Sequence, residues 1–162
     1  MHLRPATAAD AEAIAAIVHE SDAAAAEWAP AGWTPPSHEA ELEKAHEAVS
    51  SPTRRTFVAE TGGQIGGYAS LELANPAIAE LKRLFVRPEH WGIGIASALL
   101  EEAVGTAFAE GYRSMTLFTP AANARARRFY EREGWHAAGA RQDEELGLEL
   151  TEYRRALGSR RR

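Results

Sequence analysis

The chain has 162 residues, with 18 Lys and Arg, 23 Asp and Glu, and no cysteine. That length suits one domain with its own hydrophobic core and excludes two full catalytic domains. A composition 45% hydrophobic and 25% charged is that of a globular chain, and the absence of cysteine excludes disulfides, thiolate-bound zinc, iron–sulfur clusters and a cysteine nucleophile.

In chain order, Leu3-Arg4-Pro5-Ala6 reads as a short first strand. Thr7 is a helix cap with Asp10 in the first turn, and Ile14, Ile17 and Val18 form an apolar stripe at helical spacing. The helix fades near Ser21–Ala26. A loop follows with Trp28, Pro30, Gly32, Trp33, Pro35 and Pro36, whose prolines and glycine break regular structure. Its two tryptophans either seal a core edge or line a pocket. Ser37 caps a second helix running to about Val49, ended by Ser51-Pro52. Thr56–Glu60 and Ile65–Leu73 flank the turn Thr61-Gly62-Gly63-Gln64 as a hairpin, and Ala79–Val86 adds a third antiparallel strand. Arg87–His90 is a loop. Trp91-Gly92-Ile93-Gly94-Ile95-Ala96 then leads into a long helix over Ser97–Glu110, stopped by Gly111. Ser114–Thr119 is a strand, Asn123–Glu133 a helix stopped by Gly134, and the stretches from Trp135 and from Leu146 to Arg155 are the last two strands. This order predicts an α/β sandwich on a mixed sheet. Residues 1–157 form a single domain, and 158–162 a basic, frayed tail.

No apolar run approaches the roughly 20 residues of a membrane helix, and Met1–Pro5 lacks the apolar segment of a secretory signal. The expectation is a cytoplasmic protein with no membrane partner. The net charge of −5 argues against nucleic acid as a partner. Residues 1–53 carry nine acids and two bases, the remainder 14 acids and 16 bases. The acidic third is either the solvated face of two surface helices or a surface for a cationic substrate, with the basic remainder facing an anionic cofactor.

The chemistry concentrates between Leu81 and Leu100, where a strand meets a glycine-rich turn that opens a helix. Gly92, Gly94 and the small Ala96 let backbone approach a ligand closely, and the first amides of the helix form an anion site suited to a pyrophosphate. The turn has no Gly-Lys-Ser/Thr of a Walker loop, and the hairpins before it are not the parallel units of a dinucleotide fold. The six histidines show no metal-ligand spacing, so no catalytic metal is expected. About 30 residues on lies a second marked stretch, Asn123 to Trp135.

Together these segments resemble the GNAT superfamily of acetyl-CoA-dependent N-acetyltransferases. Its motif, Gln/Arg-x-x-Gly-x-Gly/Ala, stands here as Trp91 to Ala96, with Trp91 in place of the usual Gln or Arg. The pattern Asn-x-x-Ala-x-x-Phe-Tyr-x-x-x-Gly-Phe/Trp is met at every defining position from Asn123 through Phe129, Tyr130 and Gly134 to Trp135. The resemblance implies a mixed, mostly antiparallel sheet of six to seven strands flanked by about four helices. It implies acetyl-CoA as cosubstrate: backbone of Leu84, Phe85 and Val86 pairing with the pantetheine arm, an amide near Leu84 holding the oxyanion, and backbone of Trp91, Gly92, Ile93, Gly94, Ile95, Ala96 and Ser97 holding the pyrophosphate. It also implies Asn123 bonded to the pantetheine arm, Tyr130 as proton donor to the departing thiolate, direct transfer to a primary amine in a ternary complex, and a homodimer through the last strands.

For the base that deprotonates the amine, Glu80 comes first and Glu72, on the neighbouring strand, second; His38 and His46 are weaker alternatives. Family members build the acceptor wall from the first two helices and their connection, here the acidic stretch with Glu27, Trp28 and Trp33. Acids and indole faces both attract cations, which points to a small cationic amine or a basic peptide. The rival readings are a toxin-like member acting on aminoacyl-tRNA, disfavoured by the acidic first third, and a non-catalytic acyl-CoA-binding module, disfavoured by Tyr130.

Overall fold

The computed structural model describes residues 1–158. Arg160, Arg161 and Arg162 of the expected tail lie outside them. Among the described residues the strands are β1 (His2–Pro5), β2 (Arg54–Thr61), β3 (Gln64–Glu72), β4 (Ala79–Val86), β5 (Ser114–Pro120), β6 (His136–Asp143) and β7 (Leu148–Ala156). The α-helices are α1 (Ala11–Ala24), α2 (His38–Ser50), α3 (Ile95–Ala109) and α4 (Ala124–Arg132). The strands form one seven-stranded sheet in the order β1-β2-β3-β4-β5-β7-β6. The sandwich, the mixed sheet and the element order agree with expectation. Boundaries differ locally: Thr7 opens a 3-10 turn over Ala8–Asp10 before α1 begins, and Pro88–His90 is also a 3-10 turn.

Side-chain alternation on β2 decides which helices cover which face. Phe57 and Ala59 join the larger core, with Leu71, Leu81, Leu99, Leu100 and Leu117. Val58, between them, points the other way and joins Ile14, Ile17, Val18 and Tyr68 beneath α1 and α2. Gly67 permits close packing on the larger core: a Cβ there would stand 2.9 Å from the Phe85 carbonyl and 3.0 Å from Ile95.

Both α3 and α4 end on a left-handed glycine. At α3, Gly111 donates to Phe108 O and Tyr112 to Ala107 O; at α4, Gly134 donates to Glu131 O and Trp135 to Tyr130 O. This paired arrangement satisfies the last carbonyls of each helix. At the second helix it also lays the buried Trp135 against Tyr130, their ring centroids 6.2 Å apart.

The feature that positions the site is the one parallel strand pair among the described residues. β4 pairs with β5 only from Ala79 opposite Met115 to Leu81 opposite Leu117, although β4 runs on to Val86 and β5 to Pro120. A bulge accompanies the end of pairing: Ser70 faces Arg83 while Leu71 faces Leu81, so Lys82 is the extra residue on β4. The second half of β4 therefore has β3 on one side and an unpaired edge on the other.

Candidate active site

Leu84, Phe85 and Val86 occupy the unpaired half of β4. The turn that follows is shaped by Gly92 at φ 84° and Gly94 at φ 89°, left-handed values that disfavour a side chain. A Cβ at either glycine would meet nothing within 4 Å, so backbone conformation, not crowding, requires glycine there. Gly94 itself is the N-cap of α3, which therefore begins at Ile95, two residues earlier than expected. No side chain caps this helix and its first turn carries no acid. By contrast, Ser37 accepts from the Ala40 amide at α2 and Asn123 from the Ala126 amide at α4. The open amides of α3, its dipole and the two glycines form a cradle whose chemistry suits a diphosphate.

Trp91, the departure from the motif, is fixed from two sides. Its Nε1 donates to the Val86 carbonyl at 2.9 Å, and the Arg125 guanidinium of α4 lies 3.8 Å from its ring centroid. The indole thus ties the end of β4 to the start of α4, and a cation comes to lie over the position where the motif has Gln or Arg. Ser97 is linked to the other end of α4, its hydroxyl donating to Glu133 at 2.8 Å. Ile93 stands exposed beside the cradle.

Tyr130 is buried in the larger core, against which Leu84, Trp91, Ala96, Ala126 and Phe129 also pack. β4, the glycine turn, α3 and α4 thus all contribute side chains to one core. Burial alone pushes the Tyr130 phenol well above its ordinary pKa, so it is protonated throughout the neutral range. Asn123 is the N-cap of α4, its Oδ1 accepting from the Ala126 amide at 3.1 Å, which leaves its side-chain nitrogen free of that bond.

The two carboxylates differ. Glu72 and Glu80 face each other across β3 and β4. Arg54 Nε donates to Glu72 at 2.9 Å and the Ala74 amide donates at 3.0 Å. Burial pushes the Glu72 carboxyl up, but hydrogen bonds from Thr53, Arg54 and Ala74 outweigh it and hold the group below the usual carboxylate range. Glu80 is half-exposed, with Lys82 at 3.8 Å, and among the described residues no arginine hydrogen bond occupies it. His38 and His46 are exposed on α2, with His38 paired to Glu12 at 3.6 Å.

The loop between α1 and α2 is held firmly. Trp33 Nε1 donates to the Leu146 carbonyl at 2.9 Å, so this loop touches the β6–β7 turn, and Trp28 packs on Trp33 at 5.8 Å. Glu27 is exposed. The sequence does not single out Arg125, one of several arginines on α4 until the fold stacks it on Trp91. Among the described residues, no group of three or more His, Asp or Glu side chains is arranged to hold a metal ion, and no helix is long and apolar enough to cross a membrane.

The sequence model of the acetyltransferase (GNAT) family matches residues 22–135. A protein of Mycobacterium tuberculosis described as an uncharacterized N-acetyltransferase is 34% identical over 95 residues, covering 59% of this chain and 61% of that protein. The match thus spans about three fifths of that relative's length. Among solved structures, an acetyltransferase from Thermus thermophilus superposes with a TM-score of 0.73 at 27% identity, covering 96% of each chain. The Salmonella typhimurium protein yncA, solved with acetyl-CoA, superposes with a TM-score of 0.73 at 24% identity, covering all of this chain and 96% of that one.

Proposed function

The chain belongs to the acetyltransferase (GNAT) family, and from that premise we propose that it transfers an acetyl group from acetyl-CoA to a primary amine, directly within a ternary complex. The observation that carries this reading is the unpaired half of β4, which runs toward the uncapped glycine turn of α3 and packs through Leu84 on the core that holds Tyr130. The free strand edge at Leu84 and Phe85 pairs with the pantetheine arm as an added strand would. Val86 takes less part, because its carbonyl already accepts from Trp91. An amide near Leu84 polarises the thioester carbonyl and holds the negative charge that develops on its oxygen. The backbone from Gly92 to Ser97 holds the diphosphate, with Arg125 adding positive charge from its place over Trp91. The solved likeness to a structure containing acetyl-CoA supports the same cosubstrate.

A thioester is already activated, so positioning a neutral amine is the main task. Glu80 accepts the ammonium proton, directly or through water. Tyr130 donates to the departing sulfur. A thiol has a pKa of about 8.5 and a phenol about 10 in water, and the burial that raises the phenol raises a thiol beside it too, so the donor stays matched to its acceptor. The acceptor is a cationic small amine or a basic peptide, drawn by the acidic α1–α2 region and the indoles of Trp28 and Trp33.

The test pairs binding with turnover. Acetyl-CoA at a hundredfold excess over its Kd raises the melting temperature by roughly 5–10 °C, and free thiol appears when an amine panel is added. No stabilisation by acetyl-CoA overturns the reading. Stabilisation without thiol release on any amine replaces it with the binding-module reading.

A further inference from the structure

A cavity of about 380 Å³ lies where α1 passes into the loop toward α2. Its walls are loop alanines and prolines with the indole of Trp33, and its charged member is Asp22. Resting on the transfer reading above, we propose that this cavity binds the non-reacting ammonium group of an aliphatic diamine, with Asp22 as its counter-ion, while the second amine of the same molecule reaches the thioester beside β4.

Asp22 is a partly buried acid without an ion pair at this junction. Its Oδ2 is buried and has no hydrogen-bond partner, although a carboxylate oxygen removed from water without a donor is costly. Two neighbouring acids each hold a cation: Glu20 accepts from Arg87, and Glu41 accepts from Arg83 at 2.9 Å with Lys44 at 3.8 Å. The groups that face Asp22 are His19 from α1, Glu41 and Lys44 from α2, and Arg83 from β4. Arg83 and Lys44 are engaged with Glu41, so among the described residues no cation is paired with Asp22. Burial, reinforced by Glu41, pushes the Asp22 carboxyl up to about 6, against the opposing pull of Arg83. It is therefore ionised at neutral pH and protonated in mild acid.

The surroundings select the rest of the ligand. Alanine and proline walls suit methylene groups, not a polyhydroxylated or anionic acceptor. Trp33 adds an aromatic face for a cation and is braced by its bond to Leu146. The cavity is also anchored next to the transfer strand. Ser21, adjacent to Asp22, has its Oγ 3.4 Å from the Val86 carbonyl, and Glu20 pairs with Arg87 just beyond β4. A nitrogen held by Asp22 stays protonated and cannot attack, so the reacting amine is a second one further along the chain.

The experiment compares diaminobutane with butylamine as acceptors for wild type, Asp22→Asn and Asp22→Glu. Wild type prefers the diamine. Asp22→Asn lowers the diamine-to-monoamine ratio of kcat/KM about tenfold, through KM, and the charge-retaining Asp22→Glu keeps most of the preference. In wild type the KM for diaminobutane rises as pH falls below about 6, as the Asp22 carboxyl takes up its proton. Equal use of the two amines by wild type, or an Asp22→Asn enzyme with an unaltered ratio, overturns the proposal. Should no amine be acetylated while acetyl-CoA still binds, the transfer reading fails separately and calorimetry decides the subsite. Diaminobutane heat seen with wild type and lost in Asp22→Asn sustains it; equal heats or none overturn it.

Discussion

Tyr130 sits inside an aromatic cage that holds its ring whether or not the hydroxyl is present. Phe129 meets it edge-on at 5.2 Å, Trp135 edge-on at 6.2 Å, and Tyr153 lies tilted at 6.2 Å. Tyr153 in turn anchors α4 to β7: its hydroxyl donates to Glu131 at 2.7 Å and accepts from Arg127 at 3.1 Å. Burial raises the Tyr130 pKa, and among the described residues no hydrogen bond or ion pair involves its hydroxyl. Tyr130→Phe should therefore leave the melting temperature and the affinity for acetyl-CoA close to wild type while lowering turnover about 100-fold, the scale of a lost general acid. Thiol-release kinetics and ligand-induced melting shifts measure the two separately. An undiminished rate would remove Tyr130 from proton transfer and leave it a packing residue.

Among the elements, the glycine turn and the end of α3 allow a matched comparison. Gly94 opens the helix at φ 89° and Gly111 closes it at φ 94°, and a Cβ on either meets nothing within 4 Å. Replacing each by alanine forces a left-handed side-chain residue at a cost of about 1–2 kcal/mol. The melting temperature should fall similarly in both, but only Gly94→Ala should weaken acetyl-CoA binding, because only that glycine lies in the cradle; equal affinities would place the diphosphate elsewhere. The turn was legible because two glycines before a long apolar helix carry their own local signal, and the hairpins and helix stops were legible for the same reason. What the sequence did not disclose is tertiary. Nothing local says that β4 leaves β5 after Leu81, that Lys82 bulges, or that Trp33 reaches Leu146 across 113 positions. Glu72 ranks second to Glu80 in the sequence, which does not disclose that Arg54 occupies it, and Asp22 is one acid among nine there because its lack of a partner depends on Arg83 choosing Glu41.

At the scale of the whole molecule, the acidic first third is joined to the more basic remainder by ion pairs that cross from helices to sheet, Glu20 with Arg87 and Glu41 with Arg83. The β1 end is closed by Arg4, which binds both Asp10 and Glu60. Part of the charge asymmetry is therefore structural, and Asp22 and Asp10 show opposite pH behaviour. Asp10 is held below its ordinary pKa, chiefly by the Arg4 hydrogen bond. Its stabilisation is present above the unfolded value of 3.8 and is lost as pH falls through the lower folded value. Asp22 is raised from 3.8 to about 6. Its favourable contribution is complete below the unfolded value and disappears as pH rises through the folded one, because the folded protein then carries an ionised, poorly solvated carboxylate. Asp22→Asn should consequently melt higher than wild type above pH 6, with the gap narrowing toward pH 4, whereas Asp10→Asn should melt lower than wild type at neutral pH and converge with it in acid. Melting curves of the three proteins across this window check both signs. If Asp22→Asn were instead destabilised at neutral pH by as much as Asp10→Asn, Asp22 would be a structural ion-pair member, and its unpartnered oxygen would no longer mark a place for an arriving cation.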